Sequence, residues 1–319
     1  MALTLAPLAG YTDKAFREIA VGFGAEETVT EMVSAEGLAR KSSKTKALLE
    51  PFDRSENLTL QLFGPDADTF YRALKVLRWQ DFSKIDINAG CPVPKVVKTG
   101  AGSALMKTPE KAGEIIHVLK EETGLRISIK FRLGWDESDL NYIQFAEMAV
   151  RNGADELTMH TRTRAQGYSG EARKEHFRIL RNHFPKGDST SPLLNASGDV
   201  FSPEDAKKYI EDYGADGVMF ARGAIGNPFI FRETRELLEY GSYSLPSLKE
   251  KTETALRHLD LAISYYGEDA ASREMRKVMM AYIKGTRNSS RVKNMIATAS
   301  SYKEYENALE LLIEQDWKV

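Results

Sequence analysis

The chain has one cysteine, Cys91, in the stretch Asp86-Ile87-Asn88-Ala89-Gly90-Cys91-Pro92, where an alternating β-type run passes into a Gly-Cys-Pro turn. A cysteine nucleophile wants a neighbouring base. This segment holds no histidine, so the fold would have to bring His160 to it. As a proton donor the same thiol needs no activation, because at a reference pKa of about 8.5 it is almost wholly protonated at pH 7 and can pass a proton to a carbanion-like carbon. The competing reading is a small buried hydrophobe. Lys130 poses a second chemical question. It interrupts the run Ile127 to Phe131 with no acid in its own segment, and a buried lysine needs a partner. An electron-rich ring atom of a cofactor that becomes anionic on reduction would supply one.

The elements that must position these groups are short β-type runs: Leu3 to Ala6, Glu27 to Thr30, Leu58 to Leu62, Lys84 to Asn88, Ile127 to Phe131, Glu156 to His160, Leu193 to Asn195 and Gly217 to Phe220. Their starts recur at roughly 30 residues, room for one strand, one helix and two loops, which is the βαβ signature of a parallel sheet. Thr108-Pro109-Glu110 and Ser202-Pro203-Glu204 each place a capping hydroxyl before a proline at the first helical position. Eight units ending near Tyr240 predict a closed (β/α)8 TIM barrel over residues 1–240, in preference to an open doubly wound sheet. Gly241 to Pro246 reads as a linker. Beyond it Leu248, Thr252, Ala255, Leu259, Ile263 and Tyr266 recur at helical spacing, with no β-type run as far as Val319. Residues 247–319 are therefore expected to form a small all-helical C-terminal domain, and the stripe Met275, Met279, Ile283, Tyr305, Leu309 and Leu312 to be its packing face.

In such a barrel the site lies at the C-terminal ends of the strands, and a phosphate group is commonly held after the seventh and eighth. Asn195-Ala196-Ser197-Gly198-Asp199 follows the seventh run and Ala221-Arg222-Gly223 the eighth. Backbone N–H groups on small residues and a guanidinium imply a phosphorylated ligand; taken singly, each glycine reads as a tight turn. Gln61, Asn88, Lys130, Arg132 and His160 also fall at strand ends. The interior of a barrel is expected to be apolar, so a ring of polar groups at one face favours ligand contacts.

Composition bounds the possibilities. In 319 residues, 42% hydrophobic and 28% charged side chains describe an ordinary globular chain, and 44 Lys and Arg against 46 Asp and Glu leave a formal charge of -2, so any nucleic-acid affinity must be local. One cysteine excludes an internal disulfide, a cysteine-ligated iron–sulfur cluster and a multi-cysteine zinc site; no metal is expected, and the compartment expected is reducing cytoplasm. No secretory leader is expected, since Met1 to Gly10 carries no Lys or Arg and Pro7 breaks the apolar run. No stretch is apolar for long enough to span a membrane. The one strong local asymmetry lies between Arg273 and Lys293, where seven Lys and Arg stand against the single acid Glu274. That is the best sequence evidence for an RNA partner. Arg40, Lys41, Lys44 and Lys46, and the pair Arg162 and Arg164, could extend the surface, although the Arg40 cluster alone reads as a solvated helix face.

The stretches Ala6 to Asp13, Glu31-Met32-Val33-Ser34, Gln61-Leu62-Phe63-Gly64, Asp86 to Pro92, Gly102 to Met106, Lys130 to Trp135, His160 to Arg164 and Ala221-Arg222-Gly223 together resemble the tRNA-dihydrouridine synthases, FMN-dependent enzymes that reduce a uridine of tRNA. The resemblance covers the whole barrel in order, while the helical tail matches only in length and character. It implies that Pro7, Leu8 and Ala9 line the flavin ring, that Gln61 and Lys130 meet its pyrimidine edge with Asn88 and His160 nearby, and that Ser197, Gly198, Asp199, Ala221 and Arg222 hold the phosphate end. The sequence departs from the family in having Ser197-Gly198-Asp199 and Ala221-Arg222 where Asn-Gly-Asp and Gly-Arg are frequent, and Leu8 where methionine is common.

The implied reaction is reduction of FMN by NADPH or NADH, hydride transfer from flavin N5 to C6 of uracil, and protonation of C5 by Cys91, with Asn88 reading the uracil edge. Arg132, Arg162, Arg276, Lys277, Arg287 and Arg291 are the expected substrate contacts, tRNA the expected partner, and no obligate protein partner is implied. Two alternatives remain. One is an FMN barrel acting on a free pyrimidine, as in dihydroorotate dehydrogenases, which needs no basic tail. The other is a non-catalytic tRNA-binding protein on a decayed scaffold, against which the intact Cys91 and Lys130 argue.

Overall fold

The computed structural model describes residues 2–49, 57–287 and 289–316. Its strands are β1 (Ala2–Leu5), β2 (Glu27–Val29), β3 (Val33–Ser34), β4 (Leu58–Phe63), β5 (Lys84–Ala89), β6 (Arg126–Arg132), β7 (Glu156–His160), β8 (Leu193–Ser197) and β9 (Gly217–Phe220). All pairings are parallel. β1 pairs with both β2 and β9, and β2 with β4, so the sheet closes on itself as a (β/α)8 barrel and the open alternative falls away. Each of the eight expected runs is a strand. Val33–Ser34 was not expected; it is a two-residue addition along β4.

Period-two alternation assigns the faces. On β5, Ile85 and Ile87 point to the helices and join one continuous apolar cluster with residues such as Leu60, Ile129, Leu157, Ile116 and Phe145. Lys84, Asp86 and Asn88 take the other parity. Lys84 Nζ bonds Glu27 on β2 at 2.9 Å and Glu156 on β7 at 2.6 Å, and neither strand neighbours β5, so these bonds cross the barrel interior. The expectation of an apolar interior is corrected by this finding. Thr59, Gln61, Lys84, Asp86, Ser128, Glu156 and Asn195 are all buried, and the apolar core is the shell between sheet and helices.

Helix starts follow the caps in part. Ser202 accepts from Asp205 N–H at 3.2 Å at the head of helix Pro203–Glu211. Thr108 precedes helix Pro109–Thr123 but its side chain makes no capping bond, so proline's fixed φ and Glu110 in the first turn mark that start instead. After helix Phe229–Tyr240, no helix or strand intervenes before Leu248–Tyr266, Glu268–Tyr282, Ser290–Thr298 and Tyr302–Asp316. These four helices bury their own cluster, including Leu259, Met275, Met279, Ile283, Tyr305, Leu309 and Leu312, against Ala15 and Phe229 of barrel helices. The Phe16 and His258 rings stack at 5.3 Å and Tyr266 Oη accepts from Lys14 N–H at 3.1 Å, seating this bundle beside the β1 end of the barrel. Among the described residues no helix is long and apolar enough to cross a membrane.

Candidate active site

Register sets the site. Asn88 lies opposite Lys130 across β5–β6, Arg132 opposite His160 across β6–β7, and His160 opposite Ser197 across β7–β8, so these polar residues meet at the C-terminal ends of adjoining strands. They line a cavity of about 490 Å³ with Pro7, Leu8, Ala9, Cys91, Gly198, Asp199, Ala221 and Arg222, a size suited to a small ligand or cofactor.

Beneath Cys91 runs a chain of buried hydrogen bonds. Ser128 Oγ and Gln61 Nε2 each donate to Asp86 at 2.6 Å, Asn88 Nδ2 donates to Gln61 Oε1 at 2.8 Å, and Asn88 Oδ1 accepts from the N–H groups of Gly90 at 3.2 Å and Cys91 at 2.9 Å. Two expectations change here. Gln61 is fully buried and does not line the cavity. Asn88 does line it, but its amide is occupied with aiming the Cys91 loop, its nitrogen also reaching the Met32 sulfur at 3.0 Å. Asp86 and Ser128 were missed; their signal was the polar parity of Lys84, Asp86 and Asn88 between isoleucines.

Cys91 packs on Val96 and Ala101 and is 8% exposed. Burial pushes its thiol above the ordinary value, outweighing a backbone hydrogen bond and the charges of Arg132 and Lys130, so it is a protonated thiol at neutral pH. That suits a proton donor and disfavours a thiolate nucleophile. The Lys130 side chain makes no hydrogen bond or ion pair among the described residues; burial first, and the charge of Arg132 second, pull it down to about 8. Burial, then Arg132, Lys130, Arg162 and Arg222, hold His160 far below its usual range, so the imidazole is neutral.

The far end of the cavity is built for an anion. Gly198 has φ +116°, and a Cβ there would stand 2.9 Å from the His160 ring, so only glycine fits. The N–H groups of Gly198, Asp199 and Arg222 donate to no acceptor among the described residues. The Asp199 carboxylate is already engaged, by Arg162 at 2.5 and 2.8 Å, Arg222 at 2.9 Å and Ala172 N–H at 2.8 Å. It therefore anchors arginines, and its backbone alone is offered to an anion. A cavity edged by Lys130, Arg132 and Arg222, with one neutralised carboxylate and unengaged N–H groups, fits a flavin mononucleotide in size and charge.

Arg162 is corrected as a substrate contact. It is 1% exposed, its fork given to Asp199 and to the carbonyls of Ser169 and Gly170, and it does not reach the cavity or the surface. Arg164 is half-buried over the Trp135 ring. Arg132 does line the cavity while holding the carbonyls of Gly90, Thr163 and Gly167. Of the tail cations, Lys277 is exposed, 4.8 Å from the ring of the cavity residue Tyr11 and paired with Glu274 at 2.9 Å, Arg287 and Arg291 are exposed, and Arg276 is half-buried and bonded to Ala299 O at 3.0 Å.

A closed parallel barrel with a cationic cavity at its strand ends and a protonated thiol on the wall defines an enzyme of the TIM-barrel class. The dihydrouridine synthase family profile matches residues 4–316. The chain is 39% identical over 306 residues to a probable tRNA-dihydrouridine synthase of Treponema pallidum, covering 94% of this chain and 89% of that protein. It is 34% identical to tRNA-dihydrouridine synthase B of Pasteurella multocida, covering 88% and 83%. Histamine dehydrogenase from Rhizobium sp. 4-9 shares the fold at a TM-score of 0.50 and 14% identity, over 82% of this chain and 49% of that one. The chain belongs to the dihydrouridine synthase family and is an oxidoreductase.

Proposed function

We propose that the protein reduces a uridine of tRNA to 5,6-dihydrouridine with FMN as cofactor and NADPH as electron donor. The observation that carries this reading is the joining, in one cavity, of an anion cradle on β8 and β9, an unpaired lysine on β6 and a protonated thiol after β5. A bound FMN would supply the hydride for C6 of the uracil ring. Gly198, Asp199 and Arg222 would hold its phosphate through N–H donors and a guanidinium. Lys130, half-buried in the cavity wall with its side chain unpaired, would stabilise negative charge on a bound ring. Cys91 gives its proton to C5 of the uracil, its loop aimed by Asn88. A uridine in folded RNA has to be swung out of its stack to reach this depth, at a cost of a few kcal/mol, offset by contacts to the RNA backbone. The exposure of Lys277, Arg287 and Arg291 supports their making those contacts.

The test is purification followed by assay on tRNA lacking dihydrouridine. The expected result is a yellow protein that releases FMN on denaturation, consumes NADPH only when tRNA is present and leaves dihydrouridine in it. Turnover of a free pyrimidine without tRNA would replace the substrate assignment, and a colourless tRNA binder would remove the catalytic one.

A further inference from the structure

Two aromatic rings on the cavity rim have no part in the reaction above. Tyr168 is 54% exposed and Phe201 49% exposed. Both lie against the same cation, since the Arg222 guanidinium carbon is 4.8 Å from the Tyr168 ring centroid and 5.0 Å from that of Phe201. A cation held over aromatic rings is steadied by their π faces without giving up a hydrogen-bond donor. Arg222 gives one guanidinium nitrogen to Asp199 at 2.9 Å, and its side chain makes no other hydrogen bond among the described residues. The rest of its fork is left to the cavity.

Both rings sit on fixed backbone. The loop carrying Tyr168 is tied by Arg132 to the carbonyls of Thr163 and Gly167 at 2.9 Å, and by Arg162 to Gly170 O at 2.6 Å. Phe201 N–H donates to Asp205 at 3.1 Å. Without these neighbours a long, partly exposed arginine would sample many rotamers, and each bond to an anion would carry the cost of ordering it.

We propose that Tyr168 and Phe201 are positioning residues for the phosphate end of the cofactor, holding the Arg222 fork so that its free edge meets a phosphate monoester. The proposal rests on the flavin reading. It separates phosphate recognition from ring recognition: the two aromatics act on FMN and are indifferent to riboflavin, which has the same ring system and no phosphate.

The experiment is titration of the full chain, stripped of flavin, with FMN and with riboflavin, followed by flavin fluorescence. Tyr168→Leu and Phe201→Leu are each expected to weaken FMN roughly 2- to 5-fold, and together about tenfold, with riboflavin affinity unchanged. Tyr168→Phe and Phe201→Tyr keep a ring and are expected to bind FMN as the wild type does. In an Arg222→Ala background the leucine changes should have no further effect. Equal losses for FMN and riboflavin, or full FMN affinity in the double leucine variant, would overturn the proposal alone. A wild-type chain that takes up neither flavin would overturn the flavin reading and this proposal with it.

Discussion

Lys84 and Lys130 are the same residue type on neighbouring strands, one at each end of the barrel interior, and the protein treats them oppositely. Lys84, at the start of β5, is enclosed by Glu27 and Glu156; burial pulls its pKa down, but the two carboxylates outweigh it and the net shift is upward. Lys130, near the end of β6, has no side-chain hydrogen bond or ion pair among the described residues and is pulled down to about 8. A charge paired on all sides serves the fold, whereas a desolvated charge left unpaired in a cavity wall is costly and persists where a ligand completes it. The floor of this barrel is self-sufficient and its mouth is built to be finished by something else.

The largest expected effect tests the mouth. Cys91→Ala should leave flavin bound and reducible by NADPH while lowering single-turnover uridine reduction by about 10²- to 10⁴-fold, the usual worth of a general acid. Wild-type single-turnover rates in that variant would remove Cys91 from the chemistry.

The comparison itself is tested by one substitution at each end. Lys84→Met takes the shared cation from the buried Glu156 and the half-buried Glu27 and is expected to cost about 3 kcal/mol in denaturant unfolding, with flavin affinity per folded molecule retained. Lys130→Met removes an unpaired, half-buried charge in the cavity wall, so stability should be unchanged or raised while flavin reduction is impaired. Equal stability losses at both sites would show that the two lysines do the same work.

A smaller effect follows from pH. A lysine whose folded pKa is about 8, below its unfolded value of about 10.4, binds fewer protons folded than unfolded between those values. Stability of the flavin-free chain should therefore gain an upward component from pH 8 to 10. Lys84, with its pKa raised, contributes stability that is lost only as pH rises beyond the ordinary lysine range. The upward component should vanish in Lys130→Met and survive in Lys84→Met, as read from unfolding midpoints across that range.

The smallest effects lie outside the barrel. Replacing Lys277, Arg287 and Arg291 by glutamine should lower the slope of log K for tRNA against log salt by about 0.7 to 0.9 for each phosphate no longer neutralised, and leave flavin binding untouched. Arg276→Gln should instead cost stability, about 1 kcal/mol, because its guanidinium is bonded to Ala299 O. Parallel salt plots with equal affinity would return the RNA-binding surface to the Arg40 cluster.

The amino-acid sequence alone determined the barrel, because strand parity and the spacing of the βαβ units are local and repeat eight times, and it marked the Gly-Cys-Pro turn and the two anion loops by residue type. Burial and pairing were decided only in three dimensions. Nothing local distinguishes Arg162, which is locked behind the cavity on Asp199, from Arg132, which lines it, and nothing in a string of letters says that Gln61 stands beneath Asn88. Tyr168 and Phe201 lie 33 positions apart and meet only where Arg222 sits over both rings. The physical reason is range: backbone periodicity acts over a few residues, whereas desolvation and charge pairing depend on which distant side chains closure of the sheet brings within a few ångströms.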